Sequence, residues 1–156
     1  MLAAAMGGAV RRIDFDAPFE EIVPDGTVSG SLPAGFAEDS AWADVTARYR
    51  SVPSDAPGGG HALEVDVSAI RSGRVQFALR PVPAVGDGFL EVSLATQSRN
   101  HTPLSVELRQ ADTPYRVYAS GEAATRPEWG SHSLLLPLPE AGDPKAMLLF
   151  AVERPG

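Results

Sequence analysis

Two segments of this chain alternate between apolar and polar residues with a period of two. In Val75-Gln-Phe-Ala-Leu-Arg80, apolar side chains occupy positions 75, 77 and 79. In the segment 104–109, leucine and valine alternate with Ser105, Glu107 and Arg109. Such alternation puts one face of a strand in a core and the opposite face in solvent. Both segments therefore predict half-buried β-strands.

Glycine and proline separate further alternating segments along the whole chain. The 15 glycines and 14 prolines are scattered between short apolar-polar runs, a pattern typical of many short strands joined by turns. The best helical candidate, residues 37–45, has only a short stretch of apolar spacing. Residues 26–36, 53–60, 81–88 and 140–144 are predicted loops. The predicted strands are residues 12–15, 42–52, 61–67, 74–80, 89–96, 104–110, 115–120, 130–138 and 146–153.

Nine strands in one small domain favour two packed antiparallel sheets, so the predicted fold class is an all-β sandwich. At 156 residues the chain fits a single domain. Residues 1–11 are small and apolar, and we expect them to be disordered or the remnant of a leader peptide. Residues 12–156 are predicted to form one β-sandwich module. Glu153-Arg-Pro-Gly156 is typical of a turn, after which another strand is expected, so we expect the module to lack its final strand.

Charge and composition exclude several classes of function. The net charge is −7 and the pI is about 4.9, which excludes nucleic acid as an expected partner because phosphate binding needs a basic surface. The chain has no basic amphipathic helix, and its apolar runs are too short to span a bilayer, so no membrane association is expected. It contains no cysteine, which excludes disulfides and thiolate metal sites.

The sequence does not predict a catalytic site. His61, His101 and His132 lie far apart and match no metal-ligand spacing. The chain has no nucleophile elbow and no phosphate-binding glycine loop. Glycoside hydrolysis uses two carboxylates, whereas Glu107 is the single acid on the polar face of the alternating strands. We therefore predict that the protein is not an enzyme. A small lyase or hydrolase stays an alternative that would need two acids, or an acid and a histidine, converging in a cleft.

The polar faces of the alternating strands form the candidate ligand site. Planar amide and guanidinium groups beside a tyrosine ring suit a polar ligand with flat apolar faces, such as a sugar chain. The alternative is an ordinary solvated sheet face. The predicted ligand-binding residues are Gln76, Arg80, Glu107, Arg109, Arg116 and Tyr118.

The order of several short motifs resembles a known family. The motifs are Ser40-Ala-Trp-Ala-Asp-Val45, Gly60-His-Ala-Leu-Glu-Val65, Gly73-Arg-Val-Gln-Phe77, Phe89-Leu-Glu-Val-Ser-Leu94, Leu104-Ser-Val-Glu-Leu-Arg109, Tyr115-Arg-Val-Tyr118, Pro127-Glu-Trp129 and Met147-Leu-Leu-Phe150. In this order they resemble the galactose-binding-like jelly-roll modules, and most of all the carbohydrate-binding modules of families four, nine and twenty-two. The resemblance covers roughly residues 12 to 153.

The resemblance implies a non-catalytic carbohydrate-binding module of a bacterial glycoside hydrolase, binding plant-type polysaccharide on a concave sheet face. It implies a polysaccharide or oligosaccharide and the catalytic domain of a parent enzyme as partners, and a secreted or periplasmic location. The alternative is a structural accessory β-sandwich that packs on a catalytic domain and binds no free ligand.

The resemblance also implies a structural calcium ion (Ca²⁺). Asp16 and Glu20 look similar to the family's N-terminal contribution to that site. The family's final strand, which carries an acidic pair and often helps to hold the ion, has no counterpart in this sequence.

Overall fold

The computed structural model describes residues 2–6, 9–13, 15–24, 26–56 and 59–156, and the described residues are all strand, turn or irregular. No helix among them could cross a membrane. The strands are β1 (Leu2–Met6), β2 (Ala9–Ile13), β3 (Glu20–Glu21), β4 (Val28–Leu32), β5 (Phe36–Glu38), β6 (Asp44–Pro53), β7 (His61–Ser72), β8 (Val75–Leu79), β9 (Phe89–Thr96), β10 (Leu104–Arg109), β11 (Val117–Ala123), β12 (Gly130–Pro137) and β13 (Met147–Val152).

The strands form three hydrogen-bonded sheets arranged as a sandwich. One layer is a five-stranded sheet in the order β11-β10-β13-β8-β5. The other consists of two four-stranded sheets, β12-β9-β1-β2 and β3-β4-β6-β7. All pairings in the described residues are antiparallel except β4 with β6, which is parallel. The predicted all-β sandwich is confirmed, with one layer divided into two sheets.

A single core lies between the layers and joins all three sheets. It contains Tyr49 of β6, Val92 of β9 and the inward side chains of the five-stranded sheet. The rings of Phe77 and Phe150 stack in its centre with centroids 5.3 Å apart and planes 15° apart. The alternation of the predicted strands puts twelve residues in the shared core: Val75, Phe77, Leu79, Val92, Leu94, Leu104, Val106, Leu108, Leu134, Leu136, Leu148 and Phe150. Ten of them are buried, and Leu104 and Leu134 pack against the core while partly exposed. The period-two argument therefore placed these twelve residues on the core side of their strands.

Some local expectations differ from the structure. Residues 2–6 and 9–13 pair as β1 and β2, where we expected disorder or a leader remnant as far as residue 11. Residues 28–32 form β4 inside a predicted loop, and residues 36–38 form β5 at the start of the only helical candidate. Part of the predicted loop 53–60 lies outside the described residues.

Candidate functional site

A chain of hydrogen-bonded polar side chains crosses the outer face of the five-stranded sheet. We call it the polar strip, and it consists of Asp39, Arg74, Gln76, Glu107 and Arg109. The Arg74 guanidinium donates to Gln76 Oε1 over 3.0 Å and lies 2.8 Å from Glu107 Oε2. Arg109 Nη1 lies 3.3 Å from Glu107 Oε1, and Gln76 Nε2 donates to Asp39 Oδ2 over 3.2 Å. Three predicted ligand residues, Gln76, Glu107 and Arg109, therefore belong to one network.

Strand order explains why these residues meet. Gln76 lies on β8 and Glu107 on β10, with β13 between them. Ala151 of β13 pairs with Gln76, so a small side chain lies where the Arg74 guanidinium spans from β8 to β10. Below the strip, Leu149 and its neighbours form a second, smaller apolar cluster. The network thus covers an apolar sheet surface with charged groups that pair with each other.

The strip is largely shielded from solvent. Gln76 and Glu107 are buried, and the side chains of Arg74 and Arg109 are 18% and 16% exposed. Arg109 Nη2 also donates to the Tyr115 carbonyl over 2.9 Å. Arg109 Nε is buried and has no hydrogen-bond partner among the described residues. The donor capacity that the strip retains for a ligand lies in the terminal Nη atoms of the arginines, each of which carries two N–H groups.

Exposed aromatic side chains lie at both ends of the strip. The Trp42 side chain is exposed (60%), and its ring lies against Gly73, the residue before Arg74. At the other end Tyr115 is 49% exposed and adopts a positive φ of 58°, held by the bond between its carbonyl and Arg109. Donor groups flanked by open aromatic rings are a combination that can bind sugars by hydrogen bonding and stacking.

The other three predicted ligand residues do not join the strip. Arg80 and Arg116 are exposed, and among the described residues neither forms a hydrogen bond or an ion pair with the strip. Tyr118 packs against the inner core instead, and its hydroxyl donates to Asp143 Oδ2 over 2.7 Å. That hydrogen bond, together with partial burial, raises the pKa of Tyr118. The expected single face of six residues is therefore not formed, because Tyr118 points the other way.

Sequence reasoning missed Arg74, Asp39 and Trp42 as members of this surface. Arg74 precedes Gln76 by two positions, and residues two apart on a strand share a face, so the same parity argument could have placed both on one face. Asp39 and Trp42 lie in the turn between β5 and β6, and nothing local to that turn places it beside β8. Ser40 holds this turn beside β8, because its hydroxyl donates to the backbone carbonyl of Gln76 over 3.1 Å and accepts from the backbone N–H of Gln76 over 2.8 Å.

The predicted calcium ligands are not brought into a cluster. Asp16 Oδ1 accepts the His61 backbone N–H over 2.8 Å, and Glu20 lies on β3. The described residues contain no group of three or more potential ligands that could hold a metal ion. Calcium takes about six to eight oxygen ligands. Two carboxylates alone do not meet that need, and the calcium site stays a prediction.

A second concave feature is a groove of about 1040 Å³ beside β7. One wall is the part of the β6–β7 hairpin that contains Leu63 and Val65, and the other is formed by residues 94–104 and 125–129. The rings of Phe77 and Phe150 lie at its inner end. Trp129 joins the walls, because its Nε1 donates to Asp55 Oδ1 over 2.9 Å. The groove combines an apolar interior with a polar rim.

Comparisons with known proteins show likeness in fold but not in sequence. No protein-family profile and no curated protein sequence matches the chain. One similar solved structure is a family-4 carbohydrate-binding module (CBM4), with a TM-score of 0.54 and 14% identity over 76% of this chain and 75% of that one. Another is the enzymatically active domain of tailspike protein 4 from bacteriophage CBA120, with a TM-score of 0.54 and 13% identity. This chain covers 77% of its own length but 17% of the tailspike chain in that match.

Proposed function

We propose that this chain is a non-catalytic carbohydrate-binding module of a bacterial glycoside hydrolase and that it binds polysaccharide along the polar strip. The supporting observation is the strip itself, a hydrogen-bonded network with Trp42 and Tyr115 exposed at its ends. The likeness in fold to a carbohydrate-binding module supports the same reading. A plant-type polysaccharide, a parent catalytic domain and a secreted or periplasmic location belong to this proposal.

The chemistry of the strip suits hydroxyl groups better than a charged ligand. Glu107 neutralises much of the positive charge of Arg74 and Arg109, so the surface presents N–H donors with little net charge. The Nη atoms of the two arginines carry N–H groups beyond those bonded to Glu107 and the Tyr115 carbonyl, and these can donate to hydroxyl oxygens. The Trp42 indole offers an apolar face for the C–H groups of a sugar ring. So few contacts predict weak binding, with a Kd of about micromolar to millimolar.

Isothermal titration against soluble xylan and β-glucan oligosaccharides tests the proposal. We expect Trp42→Ala and Arg109→Ala each to raise the Kd by roughly tenfold, equivalent to about 1.4 kcal/mol, because each removes one stacking or hydrogen-bonding contact. Trp129→Ala is the matched control, since it removes the other tryptophan, which is hydrogen-bonded to Asp55 in the groove. Melting curves for all variants separate loss of binding from loss of fold.

The contrast between the two tryptophan variants is decisive. Weaker binding by Trp42→Ala with unchanged binding by Trp129→Ala supports the strip. The reverse pattern would move the glycan to the groove. If the wild type binds none of the oligosaccharides at millimolar concentration, the carbohydrate-binding proposal fails.

A structural accessory domain is the second candidate, and one observation favours it. Phe89 and Leu135 are 55% and 61% exposed on neighbouring strands β9 and β12, and Pro137 pairs with Phe89. They form a small apolar patch on the outer face of that sheet, and such patches mark contact surfaces. Phe89→Ser with Leu135→Ser should abolish co-purification with a separately expressed catalytic domain if packing is the function, and should leave glycan titrations unchanged.

A further inference from the structure

Two short connections cross between the layers of the sandwich next to each other. Residues 39–43 lead from β5 in the five-stranded sheet to β6 in the other layer, and residues 73–74 lead from β7 back to β8. The Ser40 hydroxyl exchanges hydrogen bonds with the Gln76 backbone at the start of β8. The two connections are therefore fixed to each other on the side of the five-stranded sheet.

The β6–β7 ladder fixes the same connections at their other end. Asp44 of β6 pairs with Ser72 of β7. Ala43 and Gly73, the residues next to this pair, consequently lie side by side at the end of the ladder. Trp42 precedes Ala43, so its indole is attached to a stretch of backbone that is held on both sides.

Gly73 leaves the space into which the Trp42 indole packs. A Cβ at position 73 would lie 2.8 Å from Trp42 Cζ3, 3.0 Å from Trp42 Cη2 and 2.6 Å from the Ala43 Cβ. The φ of Gly73, 75°, is also in the left-handed region, where residues with a side chain are strained. One edge of the indole therefore lies against backbone, while the side chain stays 60% exposed. An aromatic ring that is held in this way loses little freedom when a ligand stacks on it.

We propose that Gly73 is a positioning residue of the ligand site and that it acts through Trp42. Its missing side chain lets the indole lie at the end of the polar strip with its exposed part available for stacking. Because Arg74 is the next residue, Gly73 also sets the spacing between the ring and the first guanidinium of the strip, and a ligand has to match that spacing. This inference rests on the proposed carbohydrate binding, whereas the position of the ring can be measured without a ligand.

Tryptophan fluorescence tests the position of the ring in the absence of ligand. The chain has two tryptophans, so a protein with Trp129→Phe reports Trp42 alone. In that protein Gly73→Ala should shift the emission maximum and lower the fluorescence anisotropy, because the indole loses the surface on which it packs. Gly26→Ala is the matched control, since Gly26 has a φ of 59° and a Cβ there would meet nothing within 4 Å. It introduces similar backbone strain without displacing the ring and should leave the emission unchanged.

Titration with xylan and β-glucan oligosaccharides tests the role of Gly73 in binding. Gly73→Ala should raise the Kd by roughly tenfold, as Trp42→Ala does, and should have no further effect on the Kd in a Trp42→Ala background. The Tm should show the same coupling, because Trp42→Ala removes the ring atoms that an alanine at position 73 would meet. Gly73→Ala should therefore lower the Tm less in that background, and this comparison gives a result even if Gly73→Ala alone does not fold.

Unchanged emission of the Gly73→Ala protein would overturn the proposal. An equal rise in Kd with and without the Trp42 ring would also overturn it, because Gly73 would then act on Arg74 or on the fold. A changed emission with an unchanged Kd would do the same. If the wild type binds none of the oligosaccharides, the proposed function fails and the ligand role of Gly73 fails with it, even where a changed emission shows that Gly73 holds the ring.

Discussion

Replacing Glu107 by glutamine should destabilise the fold through the two arginines that it holds. The Glu107 side chain is only 10% exposed and contacts Arg74 over 2.8 Å and Arg109 over 3.3 Å. Glutamine has nearly the same shape, so the substitution creates no cavity. It removes the negative charge and leaves two largely buried guanidinium groups close together. The expected loss is therefore electrostatic and can be separated from packing.

The magnitude follows from burial and distance. Two unit charges about 4 Å apart interact by about 4 kcal/mol at an effective dielectric constant near 20. Breaking a buried ion pair by removing one partner typically costs about 3–5 kcal/mol. Arg74 retains a weaker contact with Glu153 over 3.6 Å, and glutamine can still accept a hydrogen bond, so we take the lower end. A loss of about 3 kcal/mol lowers the Tm of a domain of this size by roughly 6–12 °C.

Urea unfolding and melting curves at neutral pH measure this loss. Glu153→Gln is the matched control, because it removes a carboxylate from the same Arg74, but that carboxylate is 64% exposed. An exposed pair is worth about 0–1 kcal/mol, so the control should unfold close to the wild type. If Glu107→Gln lies within about 0.5 kcal/mol of the wild type, the strip is screened by solvent and the reasoning fails.

Two further predictions concern Tyr118 and a close backbone approach. The hydrogen bond to Asp143 raises the pKa of Tyr118, so the stability that this bond contributes is present below the ordinary pKa of 10.0 and is lost as pH rises through the raised value. Tyr118→Phe should remove this dependence of stability on alkaline pH. It should also lower the free energy of unfolding by about 0.5–1.5 kcal/mol in unfolding titrations. A Cβ at Gly30, which has a φ of 108°, would lie 2.0 Å from the Tyr49 carbonyl oxygen, whereas one at Gly26 would meet nothing within 4 Å. Gly30→Ala should therefore destabilise by more than about 2 kcal/mol and Gly26→Ala by about 1 kcal/mol; equal Tm values would refute the steric argument.

The strands with clear alternation could be predicted from sequence, whereas strands held by tertiary contacts could not. Residues 89–96 form a strand with the expected bounds, and the burial of Phe77 and Val106 follows from parity alone. β4 contains Gly30 between two serines, a composition that resembles a turn. It forms a strand because its backbone packs closely beside Tyr49 in a parallel pairing with β6. No local pattern encodes that pairing.

The candidate site shows where parity arguments end. Parity correctly predicted that Glu107 and Arg109 share a face, but it failed for Tyr118. The pairing of β10 with β11 shifts register between Leu108 and Arg109, and such a bulge changes the side-chain parity. Parity also predicted a solvated face. On that face Glu107 is buried instead, because the Arg74 side chain extends across β13 to contact it. Sequence periodicity carries no information on a contact between residues on different strands.

The internal pairing of the polar strip determines how a ligand could use it. Arg74 and Arg109 are already fixed by Glu107, so they lose little side-chain entropy when a hydroxyl pair binds, and ordering each long side chain otherwise costs about 0.5–1.5 kcal/mol. Glu107 would then act as a positioning residue whose own oxygens are occupied. Glu107→Gln should weaken glycan binding together with stability, because it frees both arginines. Trp42→Ala should weaken binding alone, because the exposed indole contributes contact area without supporting the core. If Glu107→Gln and Trp42→Ala changed the free energy of unfolding equally, Glu107 would not be the residue that holds the two arginines in place.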